Sequence, residues 1–234
     1  MTMEEKFESE LHRAIHRKII QAKHARNLHP LSLGMPPGKK LADYALFAGR
    51  VILEHKAYLH TPDHDKKGRA LNAFFESMIA KYHIPREQVP NFRERISLDE
   101  QKKLRKLEDG FYHKLQAKIN ACNNQIRDTK KFLGVPNAIG VAFITFDRVS
   151  WIIPGIVAQR SWRSLPNLRH TDFAIAAIRT PDFNRVSIQY MGPTDMDPKH
   201  QSALRDVLDV MAVGTRRKRY DLYTAMRMEW EGQI

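Results

Sequence analysis

Apolar residues recur at helical spacing near the start of the chain. Phe7, Leu11, Ala14, Ile15, Ile19 and Ala22 mark one face of a helix predicted over residues 4–26. Residues 27–40 are rich in Pro and Gly and predict a loop. The period then changes. Leu41 to Ala48 and Arg50 to Tyr58 read as two short strands, and Ala48-Gly49 between them predicts a hairpin. Residues 60–67 (HTPDHDKK) predict a turn. A helix follows, with Leu71, Phe74, Phe75, Met78, Ile79 and Tyr82 on its apolar face, before Pro85 and Pro90 interrupt it. The Phe74, Phe75 and Tyr82 stripe reads as core rather than as a platform for stacked bases.

Ser97-Leu98-Asp99-Glu100 has the capping-box form, which predicts a new helix start. That helix runs towards Gly110 and continues or restarts over 111–133. Leu115, Ile119, Cys122, Ile126 and Leu133 form its buried side, and Gly134 with Pro136 ends it. Ala138 to Phe146 predicts a strand buried on both faces. Asp172 to Ile178 and Arg185 to Tyr190 predict two more strands, and Pro198 to Met211 a helix. A basic run, Arg216 to Arg219, precedes a last predicted short helix. The expected class is α/β, a central mixed sheet of about four or five strands flanked by helices. Residues 1–213 are expected to form a single domain, with 60–110 a helical insertion and 214–234 a basic C-terminal segment.

Composition adds one unusual feature. Of 234 residues, 42% are hydrophobic and 28% charged, which suits a globular chain. Thirty-nine Lys and Arg against 26 Asp and Glu leave a net charge of +13. Such a surplus suits a polyanionic partner, nucleic acid first and anionic membrane second. The single cysteine, Cys122, excludes an intrachain disulfide and a Cys-rich zinc site. The acidic start MTMEEKFESE does not read as a signal peptide, and the apolar run Ala138 to Phe146 is too short to span a bilayer. A cytoplasmic protein is expected. Gly34 to Lys40 resembles a P-loop, but its glycine spacing is one short and Lys40 stands where Ser or Thr would hold magnesium. No G-x-G-x-x-G occurs.

The hairpin carries the candidate chemistry. With Ala48-Gly49 as a two-residue turn, Phe47 faces Arg50 and Asp43 lies across from Glu54. Opposed side chains share a face with Cβ atoms about 5 Å apart, and Lys56, two residues beyond Glu54, shares that face. At about 5 Å and an effective dielectric near 20, the two carboxylates repel by roughly 3 kcal/mol. A divalent cation turns that repulsion into ligation, and hard oxygen donors suit magnesium or manganese. A neighbouring ammonium helps position a water and stabilises charge developing on a phosphate. These are the parts of a metal-dependent phosphodiesterase.

Asp43 followed by Glu54-His55-Lys56 resembles the D…(D/E)-x-K signature of the PD-(D/E)XK nucleases, the restriction-endonuclease-like fold. The likeness covers roughly residues 4–58 and 111–191; Ala42 stands where the signature has Pro. The resemblance implies that Asp43 and Glu54 bind magnesium and that Lys56 assists the attacking water. It further implies a glutamate on the first helix, for which Glu8 and Glu10 compete. At 100° per residue Glu8 lies nearer the centre of the apolar stripe and is preferred. Gln125 is the match for a glutamine carried by some members after the motif.

The expected function is a magnesium-dependent endonuclease acting on DNA. The alternative is a non-catalytic nucleic-acid-binding module, or an adaptor subunit, on the same fold. Lys102, Lys103, Lys130, Lys131, Arg216, Arg217 and Lys218 are the expected phosphate contacts. Double-strand cutting would make a homodimer reasonable. His60, Asp63, His64 and Asp65 read as a solvated turn rather than a metal site, and Trp151 and Trp162 as packing beside the sheet.

Overall fold

The computed structural model describes residues 10–32, 34–35, 39–58, 62–83, 95–147, 168–179, 185–192, 196–212, 216–217 and 227–231. Helix α1 (Glu10–Gln21) is followed by β1 (Ala25–Asn27), the short α2 (His29–Ser32), β2 (Tyr44–Leu46) and β3 (Val51–Tyr58). Helices α3 (Pro62–Tyr82) and α4 (Leu98–Phe132) come next, then β4 (Ile139–Asp147), β5 (Phe173–Arg179) and β6 (Arg185–Met191). Helix α5 (Pro198–Ala212) and strands β7 (Arg216–Arg217) and β8 (Arg227–Glu231) complete the order.

The strands form one mixed sheet in the order β1-β2-β3-β4-β5-β6-β8-β7. Strands β3, β4 and β5 run parallel, and every other neighbouring pair is antiparallel. The class is therefore α/β, but the sheet is larger than the expected four or five strands. Eight strands pair, and the outermost two, β1 and β7, are stubs of three and two residues around a body of six.

Two apolar cores lie on the two faces. Leu11, Ile15 and Ile19 of α1 pack with Leu53, Val141, Phe143 and the α5 residues Leu204 and Val207. On the other face Ile119, Cys122 and Ile126 of α4 pack with Ile52, Ala142 and Ile144, and that core extends to Phe74, Phe75 and Met78 of α3. Strand β3 alternates between the cores, so its buried residues are apolar on both sides, except where Glu54 and His55 interrupt the pattern.

The first helix ends at Gln21 rather than at 26, because Ala25–Asn27 pairs as β1; two further expected elements are corrected, and one open alternative is decided. The stretch 60–67 is not all turn, because α3 starts at Pro62, where a proline lacking an N–H fits the first helical turn. Helix α4 is one unbroken rod of 35 residues, about 52 Å long, so no break occurs at Gly110. It starts on the expected capping box: Glu100 N donates to Ser97 Oγ (3.3 Å), and Ser97 N donates to Glu100 Oε2 (2.9 Å). The expected last short helix is instead β8, where Met228 and Trp230 alternate with Arg227, Glu229 and Glu231 at a strand period. Among the described residues, no helix is long and apolar enough to cross a membrane.

Candidate functional site

The β2–β3 connection turns on three consecutive left-handed residues, Phe47 (φ 53°), Ala48 (φ 56°, ψ 34°) and Gly49 (φ 85°), with Arg50 N donating to Phe47 O at 3.3 Å. The register follows: Tyr44 pairs with Leu53, Ala45 with Ile52 and Leu46 with Val51. One further step brings Asp43 across from Glu54.

At that step the ladder ends. Strand β2 stops at Tyr44 while β3 continues to Tyr58, which leaves backbone donors of both chains in need of partners. The two carboxylates supply them. Glu54 Oε2 accepts from Asp43 N at 2.9 Å, and Asp43 Oδ2 accepts from His55 N at 2.9 Å. The Asp43 carbonyl accepts from Leu28 N at 2.8 Å, which ties the same residue to the segment after β1. Lys56 Nζ lies against Glu54 Oε1 in an ion pair. Glu54 is fully buried, while the Lys56 side chain stays 29% exposed. Asp43, Glu54 and Lys56 therefore share one face of the sheet, the face that α4 covers.

Helix α4 fixes the approach to Asp43. Thr129 Oγ1 accepts from Ala42 N at 2.6 Å and donates to Gln125 O at 2.8 Å. Gln125 Nε2 donates to Leu41 O at 3.2 Å. Gln125 thus holds the backbone that carries Asp43. Thr129 does the same work and was not singled out in the sequence; its only trace there is a polar residue three positions from Ile126 on the buried stripe.

The electrostatics follow from burial. Glu54 is pushed up from its ordinary 4.5 to about 8, first by desolvation and then by the Asp43 charge, against the pull of Lys56. Burial also raises Asp43, opposed by Lys56 and the His55 backbone bond. Desolvation works against the charged Lys56, but Glu54 and Asp43 more than offset it and hold its ammonium above the usual range. Two acids and one base so placed are acid-rich by one charge when all are ionised. Glu54 Oε1 is engaged by the Lys56 ammonium. Asp43 and Glu54 are the two hard oxygen donors that the site offers to a divalent cation.

The other face of β3 holds a different group. His55 points away from the carboxylates and stacks on His12 of α1, ring centroids 3.8 Å apart, with Phe143 edge-on at 5.2 Å. His16 is bonded to the Tyr44 hydroxyl. These contacts set the N-terminal end of α1 at the end of the sheet that carries the site. Glu10 opens α1 there, and Glu8 lies outside the described residues.

The expected phosphate contacts are scattered. Lys102 pairs with Asp99 at 3.1 Å and Lys103 lies over the Phe74 ring at 5.8 Å. Both sit about 34 Å along α4 from Gln125 at 1.5 Å per residue. Lys130 is not a surface lysine. It is buried, with Nζ 3.5 Å from Asp172 Oδ2, because it lies one turn beyond Ile126 on the inward face. Lys131 is exposed, Arg216 and Arg217 form β7, and Lys218 lies outside the described residues. His60, Trp151 and Trp162 also lie outside them, as do the side chains of Asp63, His64 and Asp65 on α3. Among the described residues no group of three or more His, Cys, Asp or Glu is placed to hold a metal. Cys122 is buried, and burial drives its thiol well up, as suits a core residue.

No model of a known protein family, no curated protein and no solved structure matches the chain.

Proposed function

We propose that this protein is a magnesium- or manganese-dependent nuclease of restriction-endonuclease-like fold that hydrolyses DNA phosphodiester bonds. The observation that carries the reading is the pairing of Asp43 with Glu54 on one sheet face, with Lys56 against Glu54. Asp43 and Glu54 hold the cation. When bound, the cation neutralises phosphate charge and lowers the pKa of water. Lys56, partly open to solvent, orients the attacking water and donates to a phosphate oxygen as negative charge builds there. His55 N and Asp43 N hold the two carboxylates in place, so their orientation does not depend on the substrate. The net charge of +13 suits a polyanionic substrate.

The test is plasmid cleavage with magnesium or with EDTA, for the wild type, Asp43→Asn and Lys56→Ala. Cleavage by the wild type with magnesium alone, lost by at least a hundredfold in Asp43→Asn, is the expected result. Cleavage that persists in EDTA, or full activity in Asp43→Asn, overturns the mechanism.

One observation favours a second reading, a nucleic-acid-binding or adaptor module without catalysis. Both carboxylates already have a structural use, closing the frayed end of the β2–β3 ladder. On that reading the wild type binds nucleic acid but cleaves none with either metal, and Glu54→Gln leaves binding unchanged.

A further inference from the structure

The charge of the chain is concentrated where the site is. Between Leu11 and Leu53 the sequence carries eight Lys and Arg and a single acid, Asp43 itself. Two of the eight are engaged: Arg50 pairs with Asp206 at 3.0 Å, and Lys18 is half-buried. The other six, Arg13, Arg17, Lys23, Arg26, Lys39 and Lys40, are exposed, and among the described residues none pairs with a carboxylate. Against these six stand Glu10, which opens α1, and Asp43, so these elements keep a positive surplus, whereas Lys102 on α4 has Asp99 beside it.

Their placement follows from the topology. Strand β1 is the outermost strand of the sheet, bonded to β2 on one side only. Arg26 lies on it. Asn27 pairs with Tyr44, and Leu28 N donates to Asp43 O, so the chain after Arg26 runs directly beside the candidate site. At about 5 Å between strands, β1 lies about 10 Å from β3. Lys39 and Lys40 are exposed on the segment that enters Asp43, whose backbone Gln125 and Thr129 pin to α4. Arg13 and Arg17 are one turn apart on the exposed side of α1, whose first turns reach the same end of the sheet through the His12–His55 stack.

We infer that the α1–β1 edge, with Arg13, Arg17, Arg26, Lys39 and Lys40, is the surface that carries the phosphate backbone of a nucleic acid to Asp43 and Glu54. The inference rests on the nuclease reading for the role of Asp43 and Glu54, but its own evidence is the surplus of exposed positive charge beside them. Phosphate contact needs no base recognition, so the edge binds many sequences and its affinity falls steeply with salt. The sign is opposite to that of a protein partner with basic surface, and the edge is polar rather than apolar, which argues against insertion into lipid.

The experiment is equilibrium binding of a fluorescent DNA duplex in EDTA, where no metal-dependent cleavage occurs, across a salt series. Two variants each remove four positive charges: Arg17→Gln, Arg26→Gln, Lys39→Gln, Lys40→Gln on the edge, and Lys102→Gln, Lys103→Gln, Arg105→Gln, Lys106→Gln on α4. All eight side chains are exposed, and far-UV circular dichroism checks that both variants fold. The edge variant is expected to lose about 3 to 4 from the slope of log K against log salt, at about 0.9 per phosphate contact, and at least tenfold in affinity. An unchanged slope in the edge variant, or a larger loss in the α4 variant, overturns the inference while leaving Asp43-dependent cleavage untouched. Loss of slope in the edge variant from a wild type that never cleaves supports the surface and overturns the nuclease reading instead. Binding to anionic vesicles of phosphatidylserine with no binding to the duplex overturns the surface as a nucleic-acid track.

Discussion

His12 and His55 stack face to face at 3.8 Å beneath the hairpin, although His55 stands in sequence between Glu54 and Lys56. Burial, His16, Lys56 and Lys118 together hold His12 from its ordinary 6.5 down to about 4, and burial with His12 holds His55 well below its usual range. A depressed histidine is neutral in the folded chain and protonates first when unfolded. Its stability is therefore full above 6.5 and lost as pH falls towards 4. For the buried His12 alone the loss is about 3 kcal/mol, at 1.36 kcal/mol per pH unit. Urea unfolding at pH 7 and pH 4.5 measures it. His12→Phe with His55→Phe is expected to lose markedly less stability than the wild type over that interval. An equal loss refutes the role of the pair.

Glu54 behaves with the opposite sign. Its carboxyl is raised to about 8, so the stability tied to its neutral form is present below 4.5 and is lost as pH rises through 8. In EDTA, Glu54→Gln should melt close to the wild type at pH 4.5, pull ahead of it as pH rises, and melt several degrees above it at pH 9. Magnesium should then stabilise the wild type at pH 9 and leave Glu54→Gln unmoved, since a ligand stabilises only the state that binds it. A variant that melts lower than the wild type at pH 9 contradicts the burial argument.

The sequence was most legible where a turn set geometry. Counting outward from Ala48-Gly49 gives the observed pairs of Leu46 with Val51, Ala45 with Ile52 and Tyr44 with Leu53, and one step further sets Asp43 across from Glu54. What counting cannot supply is the face that a buried strand turns to each helix, since Ile52 and Leu53 are both fully buried. The basic surface was hidden for a related reason. Runs such as Arg216 to Arg219 draw the eye, but field strength depends on the absence of acids, and the stretch from Leu11 to Leu53 has spaced cations with one acid. Lys130 was readable as inward, four residues from Ile126, yet its neighbour Lys131 made the pair look like a surface run.

The turn itself is improvable. Ala48 adopts a left-handed conformation at φ 56°, which costs an L-residue with a Cβ about 1 kcal/mol. Asparagine tolerates that conformation and precedes glycine in the preferred type I′ turn. Ala48→Asn is expected to stabilise the protein by about 1 kcal/mol with activity unchanged, because residue 48 is exposed at the far end of the hairpin from Asp43. Denaturant titration reads the effect, and a destabilised variant would show that the turn is set by tertiary contacts instead.

Gly140 gives the sharpest test of how the sheet positions the site. Its N donates to Asp172 Oδ2 at 2.7 Å and its O accepts from Asp172 N at 2.8 Å, while Asn123 of α4 binds His170 N at 2.9 Å. A Cβ there would meet the His170 carbonyl oxygen at 1.9 Å and Ile126 Cγ2 at 2.8 Å, and neither backbone nor α4 can yield that much without moving. Gly140→Ala should therefore cost about 3 kcal/mol or more by overpacking. The strain falls on α4, the helix whose Gln125 and Thr129 hold Leu41 and Ala42, so cleavage should drop more than folded fraction alone explains. Gly134→Ala is the control: its φ of 67° disfavours a side chain, but nothing lies within 4 Å of the added Cβ. It should cost only about 1 kcal/mol and leave kcat per folded molecule intact. If both variants lose stability equally and neither alters kcat, the close contact at Gly140 does not transmit to Asp43.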